Sequence, residues 1–262
     1  MQLDIRTIRS ITCVGMWGYL TSCAMGISDP STDAALTYEM RVASRVGEVR
    51  DRIALAQARS GRGDPVTIIA VTKTHGPDAV QAAWNAGVGD VGENRVQEAE
   101  SKMAAVTAPV RWHLIGHLQR NKAKAALGFS LVHGVDSDRL AEALDDAARA
   151  AGQVLDVLVQ VNVSGESTKS GFAPADVAAV ADRLHARSGL RVAGAMTMAP
   201  YDAAESVLRS VFAGAREAQA VLRGAGHPAT ILSMGMSGDY EVAVEEGATH
   251  VRLGTILFGD RT

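Results

Sequence analysis

Short apolar runs alternate with amphipathic segments over most of this chain. Between positions 36 and 60, apolar residues recur every three or four positions among Arg and Glu, which predicts an amphipathic helix. Beyond it, eight short apolar runs predict strands, at 67–73, 90–93, 112–117, 131–135, 157–163, 192–198, 230–234 and 250–253. Helix-like segments separate the strands, at 78–86, 95–105, 121–127, 137–150, 174–186, 203–220 and 240–246.

The repeated order of strand and helix decides the fold class. Eight such units within roughly 220 residues are typical of a closed (β/α)8 TIM barrel in the α/β class. An open doubly wound sheet would need a Gly-x-Gly-x-x-Gly turn that leaves an early strand and opens a helix, and no such turn follows a predicted strand here. No linker rich in Pro, Gly or Ser divides the pattern, so we predict one barrel domain over residues 34–262.

The composition excludes several classes of partner. The 262 residues are 47% hydrophobic but only 4% aromatic, as in parallel α/β proteins packed with small aliphatic side chains. The formal net charge is −3 and the dense basic run at 120–124 is short, so we expect no nucleic-acid partner. Both cysteines, Cys13 and Cys23, precede the predicted barrel, so we expect neither a disulfide framework nor a metal site within it.

The first residues show features of a bacterial export signal. Arg6 and Arg9 precede a modestly apolar stretch at 11–20, and the residues from Leu20 to Cys23 resemble a lipoprotein cleavage site. Taken alone, these features would predict an exported protein.

The same stretch also departs from such a signal. Thr12, Gly15 and Gly18 interrupt its apolar part, which is too short to span a bilayer. We therefore interpret residues 1–33 as a disordered extension, or as the product of a start codon assigned upstream of the true one. On this interpretation the protein is cytoplasmic and has no membrane partner.

Lys73 carries the most informative chemistry. It closes the apolar run 67–73, so its stem would pack against the barrel while its amine lies at the strand end. Desolvation lowers the pKa of a lysine amine and makes it a nucleophile toward aldehydes. The alternative is a lysine whose long stem lets the amine reach solvent at the rim.

Two loops near the end of the chain offer phosphate-binding groups. In the run 233–239, backbone amides and the Ser237 hydroxyl precede a helix whose N-terminus is partly positive. In the run 252–259, Gly254 allows close approach of a ligand and Thr255 adds a hydroxyl. Ordinary turns would explain either run alone, but the loops after strands seven and eight are the usual phosphate site of this fold.

Together these groups predict a ligand with an aldehyde at one end and a phosphate at the other. An amine after the first strand would face the phosphate site across the barrel mouth, and pyridoxal 5′-phosphate (PLP) carries both groups. Arg252 alternates with its apolar neighbours and would reach the pyridine nitrogen. A guanidinium keeps its proton, so the ring would be a weak electron sink. A surface ion pair is the alternative for Arg252.

Several separate strings closely resemble the pyridoxal phosphate homeostasis protein family. They follow one another in unbroken order over about residues 36 to 260. The strings are Ala70-Val-Thr-Lys-Thr74, Gly92-Glu-Asn94, Val96-Gln-Glu98, Trp112-His-Leu-Ile-Gly116, Leu118-Gln-Arg-Asn-Lys122, Val161-Asn162, Lys169-Ser-Gly171, Met234-Gly-Met-Ser237, Val251-Arg-Leu-Gly-Thr255 and Phe258-Gly259.

The resemblance implies a fold similar to the barrel domain of bacterial alanine racemases, with PLP as cofactor. It implies a Schiff base on Lys73, with Asn94 lining the site and Lys169 receiving or passing on cofactor. A solvent-exposed loop lysine is the alternative for Lys169. The remaining cofactor contacts that it implies are the phosphate with Ser237, Gly254 and Thr255, and the ring nitrogen with Arg252.

One segment and one residue depart from the pattern of that family. Residues 1–33 have no counterpart in it, which affects the start site and leaves the fold unchanged. Arg95 stands where many members carry Tyr, so a ring contact from this position is in doubt.

Whether the chain is an enzyme depends on a second acid/base group. A PLP-dependent amino-acid racemase needs one on each face of the substrate, and racemases of this kind draw a tyrosine from a β-rich domain of a partner subunit. No such domain follows the last predicted strand, although Tyr201 and Tyr240 lie on loops at the correct barrel end. We therefore expect a monomeric, non-catalytic PLP carrier that buffers or delivers PLP to apo-enzymes, with a racemase as the alternative.

A Schiff-base aldolase is a third class to weigh. It would need a second lysine or carboxylate inside the barrel, and of the five lysines only Lys73 closes a predicted core strand. The sequence therefore disfavours it.

Overall fold

The computed structural model describes residues 37–166 and 168–259. These residues form the strands β1 (Thr67–Val71), β2 (Asp90–Glu93), β3 (Arg111–Leu114), β4 (Leu131–Val135), β5 (Leu155–Gln160), β6 (Leu190–Met196), β7 (Ile231–Ser233) and β8 (His250–Leu253). The α-helices are α1 (Tyr38–Ser60), α2 (Pro77–Asn85), α3 (Val96–Ala105), α4 (Asp138–Ala150), α5 (Val177–His185), α6 (Glu205–Gly224), α7 (Tyr240–Glu245) and α8 (Thr255–Phe258). Two 3₁₀ helices, Arg120–Gly128 and Pro174–Asp176, complete the regular structure.

The strands close into a barrel in chain order. Each strand pairs in parallel with the next, and β8 pairs back with β1 through registers such as Ile69 with Arg252 and Ala70 with Leu253. This confirms the predicted (β/α)8 barrel. Residues 1–33 lie outside the described residues, so the interpretation of this segment and the domain boundary at residue 34 stay predictions.

The opening helix shows why its segment folds as predicted. The Thr37 hydroxyl accepts a hydrogen bond from the Met40 N–H at 3.3 Å, and Gly61 ends the helix in the left-handed conformation with φ 67°. The buried positions of α1 follow its helical period and are Val42, Val46, Val49, Ile53 and Ala56.

Alternation along the strands separates an outer from an inner face. Outer residues such as Val91 and Val132 join the large core beneath the helices, whereas Leu158 and Met196 belong to a small apolar cluster inside the barrel. Branched apolar residues usually fill such an interior. Here buried polar residues also occupy the inner positions, namely Asp90, His113, His133, Ser233 and Arg252.

Some strands end earlier than the sequence predicts. β1 ends at Val71 and not at Lys73, and β3 ends at Leu114 and not at His117. The Thr72 N–H still donates to the Gly92 carbonyl at 3.1 Å, after which the chain leaves the sheet. The apolar pattern of the sequence continues into the turn. It does not show where the neighbouring strand stops offering hydrogen-bond partners.

Among the described residues, we find no helix with the length and apolarity needed to cross a membrane.

Candidate functional site

Lys73 lies in a turn two residues beyond the end of β1. It is half-buried, and the next residue, Thr74, adopts a left-handed backbone with φ 67°, which is uncommon for a residue other than glycine. The Thr74 N–H donates to Glu98 Oε1 at 2.6 Å. Strained backbone of this kind is held in place only by surrounding contacts and is frequent at functional sites.

A buried ion network supports this turn from outside the barrel. Lys102 on α3 is 5% exposed, and its Nζ donates to Glu93 Oε1 and the Thr72 carbonyl, both at 2.7 Å, and to Glu98 Oε1 at 2.8 Å. The Thr72 hydroxyl donates to Glu93 as well, at 2.5 Å. Both residues that flank Lys73 are therefore anchored to the same network.

Burial and pairing act in opposite directions on the two carboxyls of this network. Burial raises the pKa of Glu93 above its usual value, against the hydrogen bonds from Lys102 and Thr72. Burial also opposes ionisation of Glu98, but hydrogen bonds from Lys102 and the Thr74 N–H outweigh it and lower the Glu98 pKa. The sequence pattern did not predict this network. The spacing of four between Glu98 and Lys102 was its one local signal, and that spacing is typical of exposed pairs.

The two predicted phosphate loops come together beside β1. The Ser237 hydroxyl oxygen accepts from the Ile256 N–H at 3.3 Å and lies 3.5 Å from the Thr255 hydroxyl. Gly254 lies against Val71, since a Cβ at Gly254 would sit 3.5 Å from the Val71 carbonyl oxygen. Because β8 is the neighbour of β1, these loops stand beside the Lys73 turn, and the expected placement across the barrel mouth is wrong.

Arg252 lies inside the barrel and not on its surface. It is 5% exposed, and its guanidinium donates to the Ser233 hydroxyl at 2.6 Å and to the Thr197 carbonyl at 2.9 Å. Burial lowers the pKa of Arg252 to about 10, with Asp239 acting in the opposite direction. The alternative of a surface ion pair is therefore wrong.

Asn94 lines a cleft on the other side of the Lys73 turn. The cleft has a volume of about 310 Å³, and Arg95, His117 and Lys122 also line it. In the described part of the chain, the residues lining this cleft do not include the phosphate loops. Arg95, at the position where the resembled family often has Tyr, is exposed here.

Lys169 belongs to a structured loop after β5. The Asn162 side-chain amide donates to the carbonyls of Glu166 and Lys169, at 2.9 and 3.1 Å. The Lys169 amine lies 3.2 Å from Glu166 Oε1, and its side chain is 20% exposed. Lys169 is therefore a partly buried, paired lysine and not a freely solvated one.

Acid should destabilise the barrel through His250. Its pKa falls to about 4 because of burial and of His113, Arg111 and Arg252 nearby, with Asp90 opposing them. The unfolded state, with an ordinary histidine pKa near 6.5, binds more protons between these values, so stability is full above about pH 6.5 and declines toward pH 4. Urea unfolding at several pH values should show this decline, and His250→Asn should make it shallower. Equal pH slopes for the two proteins would contradict the prediction.

Comparison with known proteins first defines the class of barrel. The family "Alanine racemase, N-terminal domain" matches residues 45–262. Alanine racemase of Corynebacterium glutamicum superposes with a TM-score of 0.65 at 16% identity, over 83% of this chain and 60% of the racemase. A closed barrel with a lysine turn after β1 and hydroxyl-bearing loops after β7 and β8 is therefore of the alanine racemase N-terminal type.

More similar proteins narrow the class. The pyridoxal phosphate homeostasis protein of Pseudomonas aeruginosa is 42% identical over 224 residues, which cover 84% of this chain and 96% of that protein. PipY of Synechococcus elongatus PCC7942 is 38% identical over 83% of this chain and all of PipY, with TM-scores of 0.75 without PLP and 0.71 with PLP bound. The chain belongs to the pyridoxal phosphate homeostasis protein family.

Proposed function

We propose that this protein binds PLP as a Schiff base on Lys73 and serves in PLP homeostasis, by storing, buffering or delivering the cofactor to PLP-dependent apo-enzymes. The observation that carries the proposal is the position of the Lys73 turn after β1, beside the paired hydroxyls of Ser237 and Thr255 in the loops after β7 and β8. Membership of the family and the PLP-bound structure of PipY support it.

The functional groups of these residues match those of the cofactor. PLP supplies an aldehyde, which condenses with a lysine amine. We assign the phosphate to Ser237, Gly254 and Thr255, where Gly238 leaves open space because a Cβ there would meet no atom within 4 Å. We assign the ring nitrogen to Arg252 and a lining role to Asn94.

A carrier with little or no catalysis suits this site better than a racemase. Thr255 is exposed and Lys73 half-buried, so solvent reaches the mouth and favours exchange of the cofactor. The two tyrosines considered as a second base also fit poorly. Tyr201 is 98% exposed, whereas Tyr240 is 3% exposed and burial raises its pKa.

The purified protein tests this proposal directly. It should be yellow, with an imine absorbance that borohydride abolishes, and mass spectrometry of the digest should place the reduced adduct on the peptide containing Lys73. Incubation with L-alanine should leave the enantiomer unchanged. A protein that shows no imine absorbance after incubation with PLP and removal of the free cofactor would refute the cofactor role, and efficient racemisation would establish the racemase alternative.

We also propose that the protein is a monomer in the cytoplasm and binds neither nucleic acid nor membranes. The location follows from the interpretation of residues 1–33 given above. Light scattering should give the mass of one chain, and the N-terminal mass of the protein from its native host should show whether a leader is removed.

Ser237→Ala should weaken PLP binding by about ten- to a hundredfold, because a hydroxyl bonded to a charged phosphate contributes about 1.5 to 3 kcal/mol. Equilibrium dialysis against PLP measures the change. Ser130→Ala, at an exposed serine after the first 3₁₀ helix, is the matched control and should bind like the wild type. Equal affinities for the two variants would remove Ser237 from the phosphate site.

A further inference from the structure

We propose that a buried hydrogen-bond chain through the barrel interior, formed by Asp90, His113, His133 and Ser233, positions Arg252. This inference rests on the proposed function, because Arg252 is the residue assigned there to the ring nitrogen. The four members act through Arg252 and are positioning residues.

The four residues and Arg252 form a continuous hydrogen-bond chain inside the barrel. His113 Nε2 lies 2.9 Å from Asp90 Oδ1, His113 Nδ1 lies 3.0 Å from His133 Nε2, and His133 Nδ1 lies 2.9 Å from the Ser233 hydroxyl. Ser233 in turn accepts from Arg252 at 2.6 Å. Asp90 opens β2 and Ser233 closes β7, so the chain runs from the face opposite Lys73 up to the guanidinium.

Both ends of the chain have a fixed character. Arg252 has donors only. At the other end, burial opposes ionisation of Asp90, but hydrogen bonds from His113 and Arg111 outweigh it and lower the Asp90 pKa to about 2. Arg111 is a surface residue there, with Nε and Nη2 at 2.7 and 2.6 Å from the two Asp90 oxygens. A cation therefore stands at one end and an anion at the other.

With both imidazoles neutral, each hydrogen bond of the chain has only one possible donor. The Asp90 carboxylate must accept, so His113 donates from Nε2 and its Nδ1 accepts from His133 Nε2. His133 Nδ1 is then an acceptor and takes the Ser233 hydroxyl proton. Burial, together with His113, Arg252 and His250 nearby, holds the pKa of His133 well below its usual value, which keeps this ring neutral.

This order orients the serine beneath Arg252. Because the Ser233 proton points at His133, the lone pairs of its oxygen face the guanidinium. The Thr197 carbonyl fixes the other terminal nitrogen of Arg252. The guanidinium is held by these two acceptors, and its other N–H groups are left for a ligand. Burial of a polar group costs free energy unless the group is hydrogen-bonded, so each member of the chain depends on its neighbours.

The first test uses the cofactor-free wild-type protein. Nitrogen-15 NMR near pH 7 should show His113 and His133 as neutral Nε2–H tautomers. Asp90→Asn should reverse both, because an asparagine that turns its oxygen toward Arg111 presents its NH2 to His113. A charged ring or an Nδ1–H tautomer in the wild type would overturn the proposal, as would unchanged tautomers in a folded Asp90→Asn.

The second test asks whether the chain acts through Arg252. Ser233→Ala should speed PLP dissociation about tenfold and shift the imine absorbance, and adding it to Arg252→Gln should change neither further. Met196→Leu, in the apolar part of the interior, is the control and should match the wild type. Additive effects in the double variant would overturn the positioning role. Absence of PLP binding in the wild type would refute the proposed function alone, because the tautomers are read without cofactor.

Discussion

Lys73→Ala is expected to abolish covalent attachment of PLP completely while the barrel stays folded. The amine is the group assigned to the Schiff base, and alanine offers no nucleophile. Lys73 lies in a half-buried turn outside β1, so its truncation removes little core packing. The variant should lack the imine absorbance, and borohydride treatment in the presence of PLP should add no cofactor mass.

Lys169→Ala is the matched control for this experiment. Lys169 is likewise a partly buried lysine in a loop beyond a strand, paired with Glu166 at 3.2 Å. Its variant should keep the full reduced adduct on Lys73. An adduct of equal yield in Lys73→Ala, carried by another lysine, would contradict the assignment, and loss of the adduct in Lys169→Ala would make Lys169 essential for loading.

Lys102→Met should destabilise the protein by about 3 to 5 kcal/mol, the cost typical of removing one partner of a buried ion pair. The variant leaves Glu93 fully buried without its cation, and it also takes a donor from Glu98 and from the Thr72 carbonyl. Urea unfolding measures the loss. Because the network anchors both neighbours of Lys73, imine formation with added PLP should also slow.

Two further variants separate burial from loss of charge. Lys124→Met removes an exposed lysine and should leave stability unchanged. Adding Glu93→Gln to Lys102→Met should recover part of the loss, since the uncompensated buried charge is then gone. A cost below about 1 kcal/mol for Lys102→Met, as for a surface pair, would show that the network does not hold the turn.

The strand and helix pattern predicted the barrel well, but it placed Lys73 inaccurately. A strand pattern of period two reflects only which side chains are buried. Thr72 continues this alternation beyond the end of β1, because its side chain points outward to Glu93. The end of β1 depends on the length of its neighbours, which is a property of the sheet and not of the run 67–73. The same reason explains why His117, predicted at the end of β3, lies beyond it.

The predicted site residues fall into two groups in space. Ser237, Gly254 and Thr255 meet beside β1 and not across the barrel mouth from it, and their role as a phosphate site stays a prediction. Asn94 lies in a separate cleft with Arg95, because β2 and its loop face the opposite side of the Lys73 turn. The sequence strings alone carry no information about this division.

By itself, the sequence determined the barrel, its order of elements and the two hydroxyl-bearing loops, because these depend on local periodicity and on motifs of adjacent residues. Only the tertiary structure decided that Lys102 is buried beneath the turn and that Asp90, His113, His133 and Ser233 meet inside the barrel. His133 and Ser233 are 100 positions apart in the chain. Closure of the sheet places their strands around one interior, and a buried polar group there must find its partner across that space.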